Sequence, residues 1–255
     1  MSRSVLPILA ATALACAPST GTVASPPAPT PTPAMGTTAL ADTTPTSVRW
    51  FRASAERRAL SLQTYRLATA ALERRAAGLP SGSWAVILDA DETVIDNSPY
   101  QQELTRRRAT FDSGTWNAWV TRGAAAALPG APEFTRRARE LGGRVVIVTN
   151  REQSQCDATR ANLQRVAIAI DAVLCKTDPS NSFKDVRFEA VAAGVPPSPL
   201  PPLRVLMWVG DNIQDFPRLR QNIRSASDSA FAEFGDRFIV LPNPMYGSWE
   251  RNALP

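Results

Sequence analysis

Behind the apolar run Val86-Ile87-Leu88 the chain sets Asp89, Asp91, Glu92 and Asp96 within eight positions. Carboxylates this close repel one another, and desolvation beside a strand raises the cost further. A cation, a proton or a phosphate group is needed to make the crowding tolerable. Alternate residues leaving a strand point the same way, so Asp89 and Asp91 can address one ligand from one side. Asp211 and Asp215 stand four apart at another strand-to-helix turn, a spacing that lets two carboxylates share an oxygen-loving cation such as Mg²⁺. Thr149-Asn150-Arg151 ends a further apolar run, and Lys176 and Lys184 follow the next one.

Histidine is absent. That removes Ser-His-Asp and Cys-His hydrolysis, histidine-nucleophile chemistry, and His-ligated zinc or haem. The net charge of +5 comes almost wholly from arginine, because only Lys176 and Lys184 are lysines. The arginines are scattered along the chain, so no basic patch for nucleic acid is expected. Carboxylates, hydroxyls, lysine, arginine and a hard metal are what remain.

The elements that must position these groups alternate. Ser47 to Gly78 reads as one or two amphipathic helices, with Leu60, Leu62, Tyr65, Leu67, Ala68, Ala71 and Leu72 at roughly helical spacing. Trp84 to Leu88 is a strand whose unbroken apolar character predicts burial on both faces, as in a parallel sheet. Helices around Pro132–Leu141, Gln153–Val166, Asp185–Ala193 and Ala226–Phe234 alternate with strands at Arg144–Thr149, Ala172–Cys175, Val205–Val209 and Phe238–Leu241. The pattern predicts an α/β fold with a doubly wound, mostly parallel sheet. Ligands bind such sheets beyond the carboxyl ends of the strands, where every polar residue named above falls.

The 255 residues suit one sizeable domain with length to spare, and 44% apolar content suffices for a real core. The spare length is at the N-terminus. Arg3 precedes the apolar run Val5–Ala15, too short for a bilayer-spanning helix of about 20 residues. It ends in Ala13-Leu14-Ala15-Cys16, which resembles a bacterial lipoprotein signal and equally makes an A-x-A cleavage site. Residues 1–16 are therefore expected to be a signal peptide ending at a lipidated Cys16. The protein would be exported, to the outer membrane or cell surface if acylated and to the periplasm otherwise. Residues 17–46, rich in Pro, Thr and Ala, read as an extended tether with too little apolar surface to fold. Cys156 and Cys175 both fall at the carboxyl edge of the sheet. A disulfide is allowed there, but two half-buried free thiols are the favoured reading.

The ordered motifs Asp89-x-Asp91-x-Thr93, Thr149, a downstream lysine and Gly210-Asp211-x-x-x-Asp215 resemble those of the haloacid dehalogenase-like superfamily. Asp96-Asn97-Ser98-Pro99-Tyr100, Lys184-x-x-Arg187-Phe188 and the tail Leu241-Pro242-Asn243-Pro244-Met245-Tyr246-Gly247-x-Trp249-Glu250 narrow the resemblance to the class C acid phosphatases, bacterial lipoprotein 5'-nucleotidases. The early helix, with Ala55-Glu56-x-x-Ala59-Leu60 and Gln63-x-Tyr65, is similar to that family too. The likeness runs from about Val48 to Glu250, essentially all of a phosphatase domain at 47–252.

The resemblance implies two-step phosphoryl transfer on a small phosphomonoester or nucleoside monophosphate. Asp89 would be the nucleophile and Asp91 the acid and base. Mg²⁺ would be held by Asp89, the backbone carbonyl of Asp91, Asp211 and Asp215. Thr149 would donate to a phosphoryl oxygen, and Lys184, favoured over Lys176, would offset transition-state charge. The interval from Thr93 to Thr149 leaves room for a small cap around residues 97–130. Phe111 and Tyr246 resemble family positions that stack on a base, with Asn150 beside the substrate. Trp119 is read as core, and Asp96 as a turn-capping residue as readily as a direct one. A phosphotransferase of the same fold and a tethered, non-catalytic binding lipoprotein are the alternatives, and a homodimer is left open.

Overall fold

In the computed structural model, which describes residues 44–254, the apolar run Trp84–Leu88 forms β1, buried at every position. The other strands are β2 (Ile95–Asp96), β3 (Ala126–Ala127), β4 (Arg144–Glu152), β5 (Ala172–Lys176), β6 (Arg204–Gly210) and β7 (Phe238–Val240). Five of them make a parallel sheet in the order β5-β4-β1-β6-β7, while β2 and β3 pair antiparallel as a small separate ribbon. Helices are α1 (Thr46–Ala53), α2 (Ala55–Ala76), α3 (Ser98–Arg107), α4 (Ser113–Arg122), α5 (Ala131–Glu140), α6 (Cys156–Arg165) and α7 (Asp185–Ala193).

Burial on both faces explains the apolar strands. Trp84, Val86 and Leu88 of β1 enter one core with Tyr65 and Leu72 of α2, Phe134 of α5 and Leu163 of α6. Ala85 and Ile87 enter the other with Phe188 and Val191 of α7 and with Phe216. Each fully buried large apolar side chain stabilises the fold by roughly 1.5–3 kcal/mol. Gly143, just before β4 gains its first ladder partners, has to be glycine: a Cβ there would lie 2.1 Å from the Trp84 ring. The doubly wound α/β architecture expected from the alternation is the one observed.

The N-terminal helices do more than cover a face. Ser54 caps α2 by accepting from the Arg57 amide at 3.0 Å. The Tyr65 hydroxyl donates to the Thr93 carbonyl at 2.6 Å, Arg57 pairs with Asp96 at 3.1 Å, and the Ser61 hydroxyl donates to the Pro129 carbonyl. These helices therefore hold the segment that follows β1. The expected apolar stripe was too wide, since Leu60 and Leu67 face solvent and the buried face of α2 runs through Arg57, Ser61, Tyr65, Ala68, Ala71, Leu72 and Ala76.

Two further expectations need correction. The helix read at Ala226–Phe234 is absent: Gln221–Ser225 and Asp228–Phe231 are short 3-10 turns that bury no residue, so no apolar face was available to stabilise a longer helix. Cys156 and Cys175 are not free thiols. They form a disulfide with Cα atoms 5.9 Å apart, tying the start of α6 to β5. The expected signal peptide, Cys16 and all but the last residues of the expected tether lie outside the described residues. No helix among the described residues is long and apolar enough to cross a membrane.

The disulfide closes a loop of 19 residues. Replacing both cysteines by serine is expected to cost about 3 kcal/mol, a loss of roughly 6–12 °C in Tm by thermal melt. An unchanged Tm would mean the bridge adds nothing to the fold.

Candidate active site

The chain turns sharply after β1. The Asp89 amide still donates to the Val209 carbonyl of β6 at 2.9 Å, continuing the ladder, and the amides of Val94 and Ile95 then both return to the Ala90 carbonyl. Glu92 sits at this turn with φ 54, in a region that L residues occupy at a cost. Its buried carboxylate offsets that cost by accepting from the Asn97 amide at 2.6 Å. Burial, followed by Asp91 and Asp211, holds the Glu92 carboxyl well above the usual range.

The carboxyl end of β6 supplies Asp211, and a 3-10 turn at Ile213–Asp215 supplies Asp215. Gly210 makes room for this turn: a Cβ on it would fall 2.2 Å from the Cβ of Asp215. Asp215 is fixed further by the Asn212 amide at 2.9 Å. Asp211 accepts from the Thr93 hydroxyl at 3.3 Å and from the Asn243 side chain at 2.8 Å. As a result Asp89, Asp211 and Asp215 each present a carboxylate oxygen within 4.8 Å of the others.

Lys184, at the head of α7, reaches into this group. Its ammonium donates to Asp89 in a short contact and to Asp215 at 2.7 Å, with only 3% of the residue exposed. Burial disfavours the ammonium, but Asp215 and Asp89 outweigh it and raise the Lys184 pKa. Burial pushes the Asp89 carboxyl up to about 7 despite the attraction of Lys184, with Asp215 and Asp91 adding to the rise. The Asp211 carboxyl also stands well above its ordinary value, through burial and then through Asp215 and Asp89. Three hard oxygen donors with one ammonium between them carry an excess of negative charge, and that donor set fits a divalent cation.

Asp91 faces a different partner. Its Oδ1 accepts from Arg151 Nη2 at 2.7 Å, Arg151 Nε at 3.0 Å and Asn97 Nδ2 at 2.7 Å, and it lies outside the three-carboxylate group. Its Oδ2 has one longer contact, to Arg151 Nε at 3.2 Å. Arg151 also donates to Asn97 Oδ1 and to the Thr159 hydroxyl. Thr149 is fully buried, and its hydroxyl accepts from the Arg151 amide at 3.2 Å. Asn150 is held by Arg187 and by the Ser182 carbonyl.

Of the residues singled out from sequence, Asp89, Asp91, Asn150, Lys184, Asp211, Asp215 and Tyr246 line one pocket of about 160 Å³. An adjoining cleft of about 910 Å³ shares Asp91, Asn150 and Tyr246 with it and adds Phe111, Trp116 and Arg151. Phe111 is 65% exposed there. Lys176 is not brought in; it donates to the Pro179 carbonyl at the surface. Trp119 is buried, and Asp96 serves Arg57 and the Ser98 amide. The sequence placed Arg151 at the crevice and named Glu92, Asn97 and Asn243 within its motifs, but gave none of the four a role in the site. A role for Arg151 was within reach, because the alternation that pairs Asp89 with Asp91 also pairs Thr149 with Arg151.

A family model described as HAD superfamily, subfamily IIIB (Acid phosphatase) matches residues 23–249. The solved class C acid phosphatase from Bacillus anthracis is similar over 80% of this chain and 85% of its own, at 31% identity and a TM-score of 0.72. The same enzyme solved with tungstate bound gives 30% identity and a TM-score of 0.71. Among curated relatives, Acid phosphatase 1 of Solanum lycopersicum is 31% identical over 77 residues, 30% of either chain. Stem 31 kDa glycoprotein of Glycine max is 28% identical over 167 residues, 63% of this chain and 58% of the relative. The chain thus spans less than two thirds of the length of these two curated relatives.

Removing the ammonium leaves the buried carboxylates unpaired. Lys184→Met is expected to lose roughly 3–5 kcal/mol of stability in chelator, by urea unfolding at neutral pH. Added Mg²⁺ should then stabilise the variant more than it does the wild type. Indifference to either change would mean that the carboxylates and the lysine are not one electrostatic unit.

Proposed function

The chain belongs to the HAD superfamily, subfamily IIIB, of acid phosphatases, and from that premise we propose that it is a Mg²⁺-dependent phosphomonoesterase that hydrolyses nucleoside 5'-monophosphates through an aspartyl phosphate. The observation that carries the reading is the convergence of Asp89, Asp211 and Asp215 within 4.8 Å, with Asp91 on the same wall of the pocket. The Bacillus anthracis relative was solved with tungstate, a tetrahedral oxyanion like phosphate, which favours a phosphoryl site.

Asp89 attacks phosphorus in line as the ester P–O bond breaks. The electron pair leaves on the ester oxygen, which takes a proton from Asp91. Asp91 then removes a proton from the water that attacks the aspartyl phosphate, and Asp89 is freed with inorganic phosphate. Asp89, Asp211, Asp215 and the Asp91 backbone carbonyl would hold Mg²⁺, which supplies the positive charge that lets a carboxylate approach a phosphate dianion. Lys184 offsets charge on the transferring group. Thr149, whose hydroxyl already accepts from the Arg151 amide, keeps its proton for a phosphoryl oxygen. Asn150, pinned by Arg187 and Ser182, walls the pocket.

The aromatic cleft favours a nucleoside over a small alcohol. Phe111 and Tyr246 line it together, and the exposed Phe111 leaves an aromatic face open for a base to stack on. Residues 97–130, carrying α3 and α4, act as the cap on this side. The proposed place of action is outside the cytoplasm, with a lipid on Cys16 as membrane anchor; acylation is read out by metabolic labelling with a fatty acid.

Release of inorganic phosphate from AMP should require a divalent cation and stop on adding chelator. Asp89→Asn should abolish turnover while leaving the melting temperature near that of the wild type; retained activity would remove it as nucleophile. No release across the acid-to-neutral range with Mg²⁺ supplied would make the protein a binding module instead. Phosphorylated glycerol, formed when glycerol is added, would identify a phosphotransferase. Substituting Phe111 or Tyr246 by alanine should raise the KM for AMP about tenfold and leave that for glycerol phosphate alone. Equal changes for both substrates would exclude stacking on the base.

A further inference from the structure

Resting on the phosphatase reading, we infer that Arg151 is the positioning residue of the acid–base step: it locks the Asp91 carboxyl so that Oδ2 carries the transferred proton. Oδ1 is saturated by three donors at 2.7–3.0 Å, from Arg151 Nη2, Arg151 Nε and Asn97 Nδ2. Oδ2 has only the shared Nε at 3.2 Å. A carboxyl oxygen that already accepts three hydrogen bonds is poorly placed to bear a proton as well, so the less engaged oxygen takes that role. The proton on Oδ2 passes to the ester oxygen as the P–O bond breaks and the Asp89–phosphorus bond forms.

The clamp is rigid because the guanidinium is committed on several sides. The Arg151 side chain is 1% exposed, against 19% for Asp91. Beyond Asp91 it donates to Asn97 Oδ1 at 3.1 Å and to the Thr159 hydroxyl at 3.2 Å, and it packs over the Trp116 ring at 5.4 Å. Asn97 is in turn held by Trp119 Nε1 at 2.8 Å. Trp116 and Trp119 both belong to α4, so the helix beside the substrate cleft braces the acid–base carboxyl through two contacts. A planar fork fixes two bonds at once, which an ammonium cannot do.

The test uses leaving groups of different basicity. An alkoxide, as leaves from AMP, needs a proton in the transition state, whereas p-nitrophenolate does not. Since kcat/KM reports the steps through formation of the aspartyl phosphate, Arg151→Met should lose about 100-fold in kcat/KM for AMP, the scale of a misplaced catalytic group, and less than about tenfold for p-nitrophenyl phosphate. Arg151→Lys should fall between, and Trp119→Phe should show a smaller loss with the same bias against AMP. Inhibition by inorganic phosphate should be unchanged in all three. Equal losses on both esters, or none, would overturn the proposal; if Arg151→Met does not fold, the lysine and Trp119 variants decide by the same criterion. A wild type that turns over neither ester would overturn the phosphatase reading, and this inference with it.

Discussion

Excess negative charge in a nearly dry space is the constraint around which the molecule is arranged. Asp89 and Asp215 are almost wholly buried and flank Lys184, and Asp211 stands beside them with its pKa raised like that of Asp89. Left in low dielectric, such a group would neutralise itself by taking up protons or would push its members apart. The raised pKa values of Asp89 and Asp211 are the first of these responses; the second is denied because the backbone leaves little freedom. β1 is paired on both edges, the turn after it is closed by hydrogen bonds to Ala90, and Gly210 lets Asp215 fold back against its own strand.

The topology determines which residues meet. Placing β1 between β4 and β6 sets Asp89 and Asp91 between the strand ends that carry Thr149-Asn150-Arg151 and Gly210-Asp211. The two acids that lie one residue apart then diverge. Asp89 joins the buried cluster with Lys184, and Asp91 is drawn to the guanidinium across the adjacent strand. Two chemically equal side chains thereby acquire unequal surroundings, which is the condition for unequal roles.

Much of this was legible in the sequence because burial on both faces leaves a plain signature. Unbroken apolar runs ending in Asp, Thr or Gly-Asp located the strand ends, and the order of those ends located the crevice. Arg151 was legible as a strand-end residue, but its partner and role were not. In a chain so rich in scattered arginine, one buried guanidinium looks like all the exposed ones until its partners are seen. The Cys156–Cys175 bridge depends on a Cα separation set by the packing of α6 on β5, which no spacing rule supplies. Residues 226–234 misled for the opposite reason: they read as a helix, but the short turns formed at 221–225 and 228–231 bury no residue that would reward one.

The hooks from the N-terminal helices carry an implication for where this domain starts. Tyr65 holds the Thr93 carbonyl, Arg57 holds Asp96, and Arg52 reaches Ser98. A fragment trimmed to begin at the first strand would retain every carboxylate of the cluster and both lysines, yet lose the struts under the loop that aims them. Sequence windows drawn around the aspartate motifs alone would therefore leave out the two helices, Thr46–Ala53 and Ala55–Ala76, that brace that loop.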